Sequence, residues 1–338
     1  MRTTRSPFDH SMVGPMAGDL CGSARSPGRR AAMSTNPFVP AVVGVAPVAW
    51  RAVARAVVDR PIGMLDSGFG GLTVARAVID LLPAEDLVYI GDTGRCPYGP
   101  KPLAEVAAYA RQIAWTLVKD FDVKVLVVAC NTAAAAAPIH ELAAELPVPV
   151  LGVIEPGARS LVLTTETRHV GVIGTVGTVG SGAYQRAVVD AVGAAAAEPV
   201  HLTCAACPGF VEFVERGVTR GDEITVLAER LLAPVREADV DALLLGCTHY
   251  PLLARVIGDV MGHGVTLVSS ADETAFELAD LLTRLDLRRR PDHSHPGPAP
   301  ANHRFLSSGD VTHFAELGRL LLGPELDRAE PISFDDHD

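Results

Sequence analysis

The sequence predicts an α/β protein made of two pseudo-symmetric, doubly wound domains with mainly parallel sheets and an active site in the cleft between them. Three observations predict it. From Pro61 onward, short β-branched runs alternate with segments whose apolar residues recur at helical spacing, the pattern of strands covered on both faces by helices. Four strand-like runs end in small polar residues, at "LDSGFGG" (65–71), "GDTGRCPYG" (91–99), "VACNTA" (128–133) and "LGCTHYP" (245–251), and ligands bind at the carboxyl ends of such strands. Two of these ends, "VLVVACNT" and "ALLLGCTH", match in design. Each is an apolar strand closed by a small residue, a cysteine and a hydrogen-bonding residue, as in two related halves.

Taken in order, the strands are expected at 62–66, 87–91, 124–129, 148–152, 169–174, 199–204, 241–246 and 265–269, each five or six residues long and rich in Val, Ile and Leu. Helices are expected at 72–82, 103–119, 181–193, 222–237 and 272–285. The segment "RFLSSGDVTHFAELGRLLLG" adds a strand, a turn and a helix, with Asp310 or Thr312 as its cap. Residues 61–152 plus 266–323 would form the first domain and 153–265 the second. Residues 1–60, rich in Pro, Gly, Ser and Arg with only Asp9 and Asp19 as acids before Asp59, read as a disordered extension. Residues 288–303 read as a Pro/His-rich linker and 324–338 as an acidic tail.

Composition narrows the function. With 338 residues and 48% hydrophobic content, the chain can bury sizeable cores. A net charge of −11 argues against a general nucleic-acid binder. The chain lacks an apolar run of membrane-spanning length. Six sparse cysteines suit a reducing cytoplasm better than a disulfide scaffold. The glycines of 65–71 lack the spacing of a phosphate loop or a dinucleotide fingerprint, and the glycine-rich 172–181 has no acid at the downstream spacing expected for a ribose. No metal is expected, because the histidines His293, His295 and His303 have no acids or thiols at ligand spacing. No cofactor is expected either. A pyridoxal imine needs a lysine, and Lys101, Lys119 and Lys124 are the three in the chain, none well set for one.

Two thiols in matching settings suit a particular chemistry. A nucleophilic hydrolase uses one cysteine, with a histidine base and an oxyanion hole. Inverting a carbon needs a base on one face and an acid on the other, and a thiolate and a thiol do this equally well in both directions. A cysteine pKa near 8.5 can be tuned toward working pH. The pair Cys204 and Cys207 in "TCAACPGF" keeps a thiol-redox protein as the alternative from another class.

The ordered set "GMLDSGFGGLTV", "YIGDTGRCPYG", "VVACNTAAA", "PGFVEFVERG" and "LLLGCTHYPLL" resembles the cofactor-independent glutamate racemases, from about Pro61 to Leu285. The resemblance implies interconversion of L- and D-glutamate, supplying D-glutamate for peptidoglycan. It places the acid–base pair on Cys130, acting on D-glutamate, and Cys247, acting on L-glutamate, with Asp66 near the first thiol and Glu215 and His249 near the second. It places substrate contacts on Asp66, Ser67, Tyr98, Gly99, Asn131, Thr132, Thr248 and His249. A homodimer and an association with DNA gyrase are implied by family analogy only. Aspartate racemases share both cysteine strand ends, so aspartate or another acid is the alternative substrate. Cys96 departs from the family, which usually has an aromatic residue there; altered packing is the expected result.

Overall fold

The computed structural model describes residues 57–195, 197–289 and 301–334. The expected extension therefore lies outside the described residues except for 57–60, as does most of the linker and the end of the tail.

Among the described residues, ten strands form two sheets. Their ranges are β1 Ile62–Asp66, β2 Leu87–Gly91, β3 Val125–Val128, β4 Val150–Gly152, β5 His169–Gly174, β6 His201–Ala206, β7 Ala242–Gly246, β8 Thr266–Ser269, β9 His303–Ser307 and β10 Glu330–Pro331. The larger sheet runs β10-β9-β2-β1-β3-β4 and the smaller β6-β5-β7-β8. Every pairing among the described residues is parallel. The order β2-β1-β3-β4 in one sheet is repeated by β6-β5-β7-β8 in the other, so the strand preceding each matched cysteine occupies the same place in both.

The strand residues explain the layering. In β1, β2, β3 and β7 all positions are buried, as expected for strands with helices on both faces. Successive side chains alternate between two apolar layers: Met64, Val125, Val127, Leu243 and Leu245 on one side, and Leu65, Leu126, Val128, Ala242 and Leu244 on the other. Helix Ser270–Arg284 packs on both helix Leu72–Leu81 and helix Ile154–Thr164, so one element touches covering helices of both halves. Among the described residues no helix is long and apolar enough to cross a membrane.

Four expectations need correction. Strand β8 pairs with β7, Ala242 opposite Thr266, so the second sheet extends to Ser269 and the return to the first half falls after it, not at 266. Strand β6 begins at His201 rather than 199, because its register is set by β5, His169 opposite His201 and Gly174 opposite Ala206. The helix expected over 222–237 is two, Asp222–Leu231 and Ala233–Glu237, with Pro234 at the start of the second, where a missing N–H is tolerated. The expected tail contributes β10 at the sheet edge, where Pro331 costs least. Asp310 is the cap of helix Val311–Leu322, accepting from the Thr312 and His313 amides at 2.8 and 3.1 Å.

Candidate active site

Asp66, Cys130 and Cys247 stand at or just beyond the carboxyl ends of β1, β3 and β7. Asp66 is fully buried. Its Oδ2 accepts from the Gly68 amide at 2.9 Å and its Oδ1 from the Thr248 hydroxyl at 3.4 Å, so a carboxylate of the first half holds a residue of the second.

Cys130 caps helix Asn131–Ala136, its Sγ accepting from the Ala133 amide at 3.4 Å, and its thiol donates to Ser67 Oγ at 3.4 Å. Burial pushes the thiol pKa up to about 12, and the nearby Asp66 charge adds to the rise, while the Ser67 and Ala133 hydrogen bonds oppose it. Without a nearby positive charge this thiol stays protonated at neutral pH.

The second thiol has a different neighbourhood. Cys247 Sγ lies 4.0 Å from His249 Nδ1, and His249 Nε2 lies 2.7 Å from Glu215 Oε1. Burial alone would lower the His249 pKa, but its hydrogen bonds to Cys247 and Glu215 and their charges push it up to about 10. The ring is therefore an imidazolium at neutral pH, aimed at sulfur on one side and held by a carboxylate on the other. The Phe69 ring meets it edge-on at 5.1 Å. Gly70 is required for this approach, since a Cβ there would lie 2.4 Å from His249 Nδ1.

Both cysteines line one pocket, together with Ser67, Pro97, Tyr98, Gly99, Asn131, Thr132, Thr175, Val211, Thr248 and His249. On one wall the Thr132, Thr175 and Thr178 hydroxyls form a triangle with sides of 3.0 to 3.2 Å. Asn131 Nδ2 donates to the Tyr184 hydroxyl at 2.7 Å, while its buried Oδ1 has no partner among the described residues. The walls thus offer hydroxyls, an asparagine amide and two sulfurs, suited to a small polar molecule.

A sequence model described as Asp/Glu/Hydantoin racemase matches residues 62–278. The chain belongs to that racemase family. The racemase is 54% identical over 266 residues to the glutamate racemase of Parafrankia sp., covering 79% of this chain and 92% of that one. Its structure is similar to the glutamate racemase isoform RacE1 of Bacillus anthracis, with 39% identity, a TM-score of 0.73 and coverage of 82% and 97%. It is also similar to the Francisella tularensis glutamate racemase solved with D-glutamate, with 30% identity, a TM-score of 0.73 and coverage of 82% and 99%.

All the expected site residues come together in the racemase. Nine of them line the pocket, while Asp66 and Glu215 stand behind Thr248 and His249. Sequence reasoning missed Pro97, Thr175 and Val211 in the walls, and Tyr184 and Thr178 in support. For Thr175 a signal was present: threonine after an apolar strand is a helix-cap pattern, and its Oγ1 accepts from the Thr178 amide at 3.1 Å. Cys96 does more than fill space, since its Sγ lies 3.8 Å from Glu215 Oε1, the atom that also holds His249. The CxxC pair is placed differently. Cys207 packs in one apolar layer and Cys204 against the other. Both are free thiols whose pKa burial pushes up, to about 12 and about 11, the reverse of what a reactive redox pair needs.

Proposed function

We propose that this racemase interconverts L- and D-glutamate by a two-base proton transfer at the α-carbon, one of Cys130 and Cys247 removing a proton from one face and the other delivering its own to the opposite face. The observation that carries this is two buried thiols, one from each of two equivalent strand ends, lining a single pocket. Relatives at about half identity named as glutamate racemases support the substrate.

The residues suit each step. A thiolate on one face takes the α-proton, leaving the bond's electron pair on carbon, and the thiol on the other face delivers its proton to that pair. The net result is inversion, with the two sulfurs exchanging protonation states. At Cys247, the His249 ring stands beside the sulfur, placed to shuttle or steady its proton, and Glu215 helps keep that ring charged. At Cys130, the substrate ammonium supplies the positive charge that the thiol's own protein neighbours do not. The unpaired Asn131 Oδ1 is an acceptor for that ammonium. The Thr132, Thr175 and Ser67 hydroxyls suit the carboxylates, and burial strengthens each of these contacts. D-Glutamate made this way would serve peptidoglycan synthesis.

Cys130→Ser and Cys247→Ser, assayed by circular dichroism with each enantiomer, should each lose about a hundredfold or more in turnover, the range for a positioned acid or base. Wild-type enzyme in deuterated water should place deuterium at the α-carbon of the product. A Cys130→Ser enzyme with full activity in both directions would refute the two-thiol reading. Aspartate turned over faster than glutamate would refute the substrate.

A further inference from the structure

The pocket wall formed by Tyr98 and Gly99 belongs to the loop after β2, and this loop is tied to the end of the chain. Asp92, fully buried, organises it. Its Oδ2 accepts from the Tyr98 hydroxyl and from Arg95 Nε, the latter at 2.6 Å, and its Oδ1 accepts from the Ser308 hydroxyl at 2.6 Å. Ser308 Oγ also accepts from the Gly94 amide at 3.0 Å.

Arg95 reaches outward from this knot. Its Nη1 donates to Gln112 Oε1 at 2.7 Å, whereas its buried Nη2 has no acceptor among the described residues. Two aromatic faces cover the guanidinium instead, Tyr109 at 4.0 Å and Phe334 at 4.6 Å from ring centre to Cζ. An aromatic face attracts a cation through its quadrupole, more so where water is excluded. Phe334 reaches this place because β10 pairs with β9 and the Ile332 amide donates to Ser307 O at 3.0 Å, which continues the pairing toward the residue next to Ser308.

We propose that Phe334 is a positioning residue for substrate binding: by covering Arg95 it fixes Asp92, and through Asp92 the Tyr98 side of the pocket. The C-terminal segment is thereby a latch on the substrate loop. The inference rests on the proposed glutamate site, and its test has one arm that needs no substrate.

Phe334→Leu keeps an apolar group of similar reach without the aromatic face, and Phe334→Trp restores the face. The latch predicts faster amide hydrogen exchange across residues 92–99 in Phe334→Leu without ligand, and wild-type exchange in Phe334→Trp. It predicts KM for both glutamate enantiomers up about three- to tenfold in Phe334→Leu, with kcat changed less than about twofold, and recovery in Phe334→Trp. Arg95→Lys, which keeps the charge but loses the planar face, should shift exchange and KM in the same direction. Unchanged exchange in Phe334→Leu overturns the latch whatever the substrate is. Faster exchange with unchanged KM overturns its role in binding, and Trp behaving like Leu overturns the aromatic contact. A wild-type enzyme that does not turn over glutamate refutes the proposed function, while the exchange arm still decides the latch.

Discussion

Gly70→Ala tests the geometry around Cys247 with a single methyl group. The added Cβ would lie 2.4 Å from His249 Nδ1, 2.7 Å from its Cε1 and 2.7 Å from Thr248 Oγ1. Carbon and nitrogen without a bond between them sit at about 3.5 Å, so something must yield by about 1 Å. His249 has little room: it is 2% exposed, its Nε2 is held by Glu215 at 2.7 Å, and Phe69 stands edge-on to the ring. The ring moves away and opens its 4.0 Å contact with Cys247 Sγ, or the glycine loop moves and disturbs Asp66 and Gly68. Overpacking of this kind costs about 1–3 kcal/mol of stability. A displacement of about 1 Å at a reacting group costs about a hundredfold in rate. The assay is circular dichroism on each enantiomer, with a thermal melt of the same samples. Because enantiomers have equal free energies, kcat/KM must fall equally in both directions, and the direction-dependence appears only in kcat and KM taken separately. Gly180→Ala is the control, since a Cβ there meets nothing within 4 Å. A Gly70→Ala enzyme with wild-type kcat/KM and melting temperature would refute the reasoning.

Other outcomes follow from charges buried near the site and far from it. The raised His249 pKa, about 10 against an ordinary 6.5, means the folded chain keeps a proton that the unfolded chain releases between those values. That stability is fully present below about pH 6.5 and is lost as pH rises through about 10, at up to about 1.4 kcal/mol per pH unit. Glu215→Gln removes one of the charges that raise it, so the imidazole titration followed by NMR should move to lower pH, and the alkaline fall in melting temperature should be smaller and end at lower pH; an unmoved titration refutes the triad. Lys124 and Glu85 form a buried ion pair at the opposite end of the first sheet, with Lys124 Nζ also donating to Val58 O at 2.7 Å. Lys124→Ala takes the cation from the buried Glu85 carboxylate, leaving it the Arg289 amide at 2.7 Å, and should cost about 3–5 kcal/mol in denaturant melts. A loss below about 1 kcal/mol would show that the pair is dispensable.

Much of this architecture is legible in the sequence because fully buried parallel strands are written as unbroken β-branched runs. "IGMLD", "LVYIG" and "HVGVIG" have the expected bounds for that reason. Strand β10, two residues of "EP", carries no pattern of its own and exists only because β9 offers an edge. The end of the second sheet was misplaced because "VTLVS" reads the same whichever sheet it joins, and pairing alone decides. Of the site, the residues with chemical character at strand ends were legible: Asp66, Cys130, Cys247 and their successors. Val211 and Pro97 were not, since nothing in an apolar side chain says that it faces a pocket instead of a core. The Asp92 knot was hidden as well, because its partners Tyr98, Arg95 and Ser308 come from two distant stretches of chain.

The strand order shared by the two sheets has a consequence for how such a protein can change over generations. With mirror-image reactants at equal free energy, a fault beside either thiol lowers kcat/KM alike for both conversions, and no substitution can lower that ratio in one direction only. On the proposed reaction, natural selection therefore cannot tend one half and neglect the other. The neighbours of Cys130, a serine hydroxyl and a backbone amide, and those of Cys247, an imidazolium and a carboxylate, have diverged in chemistry. They are nevertheless inherited as a single trait.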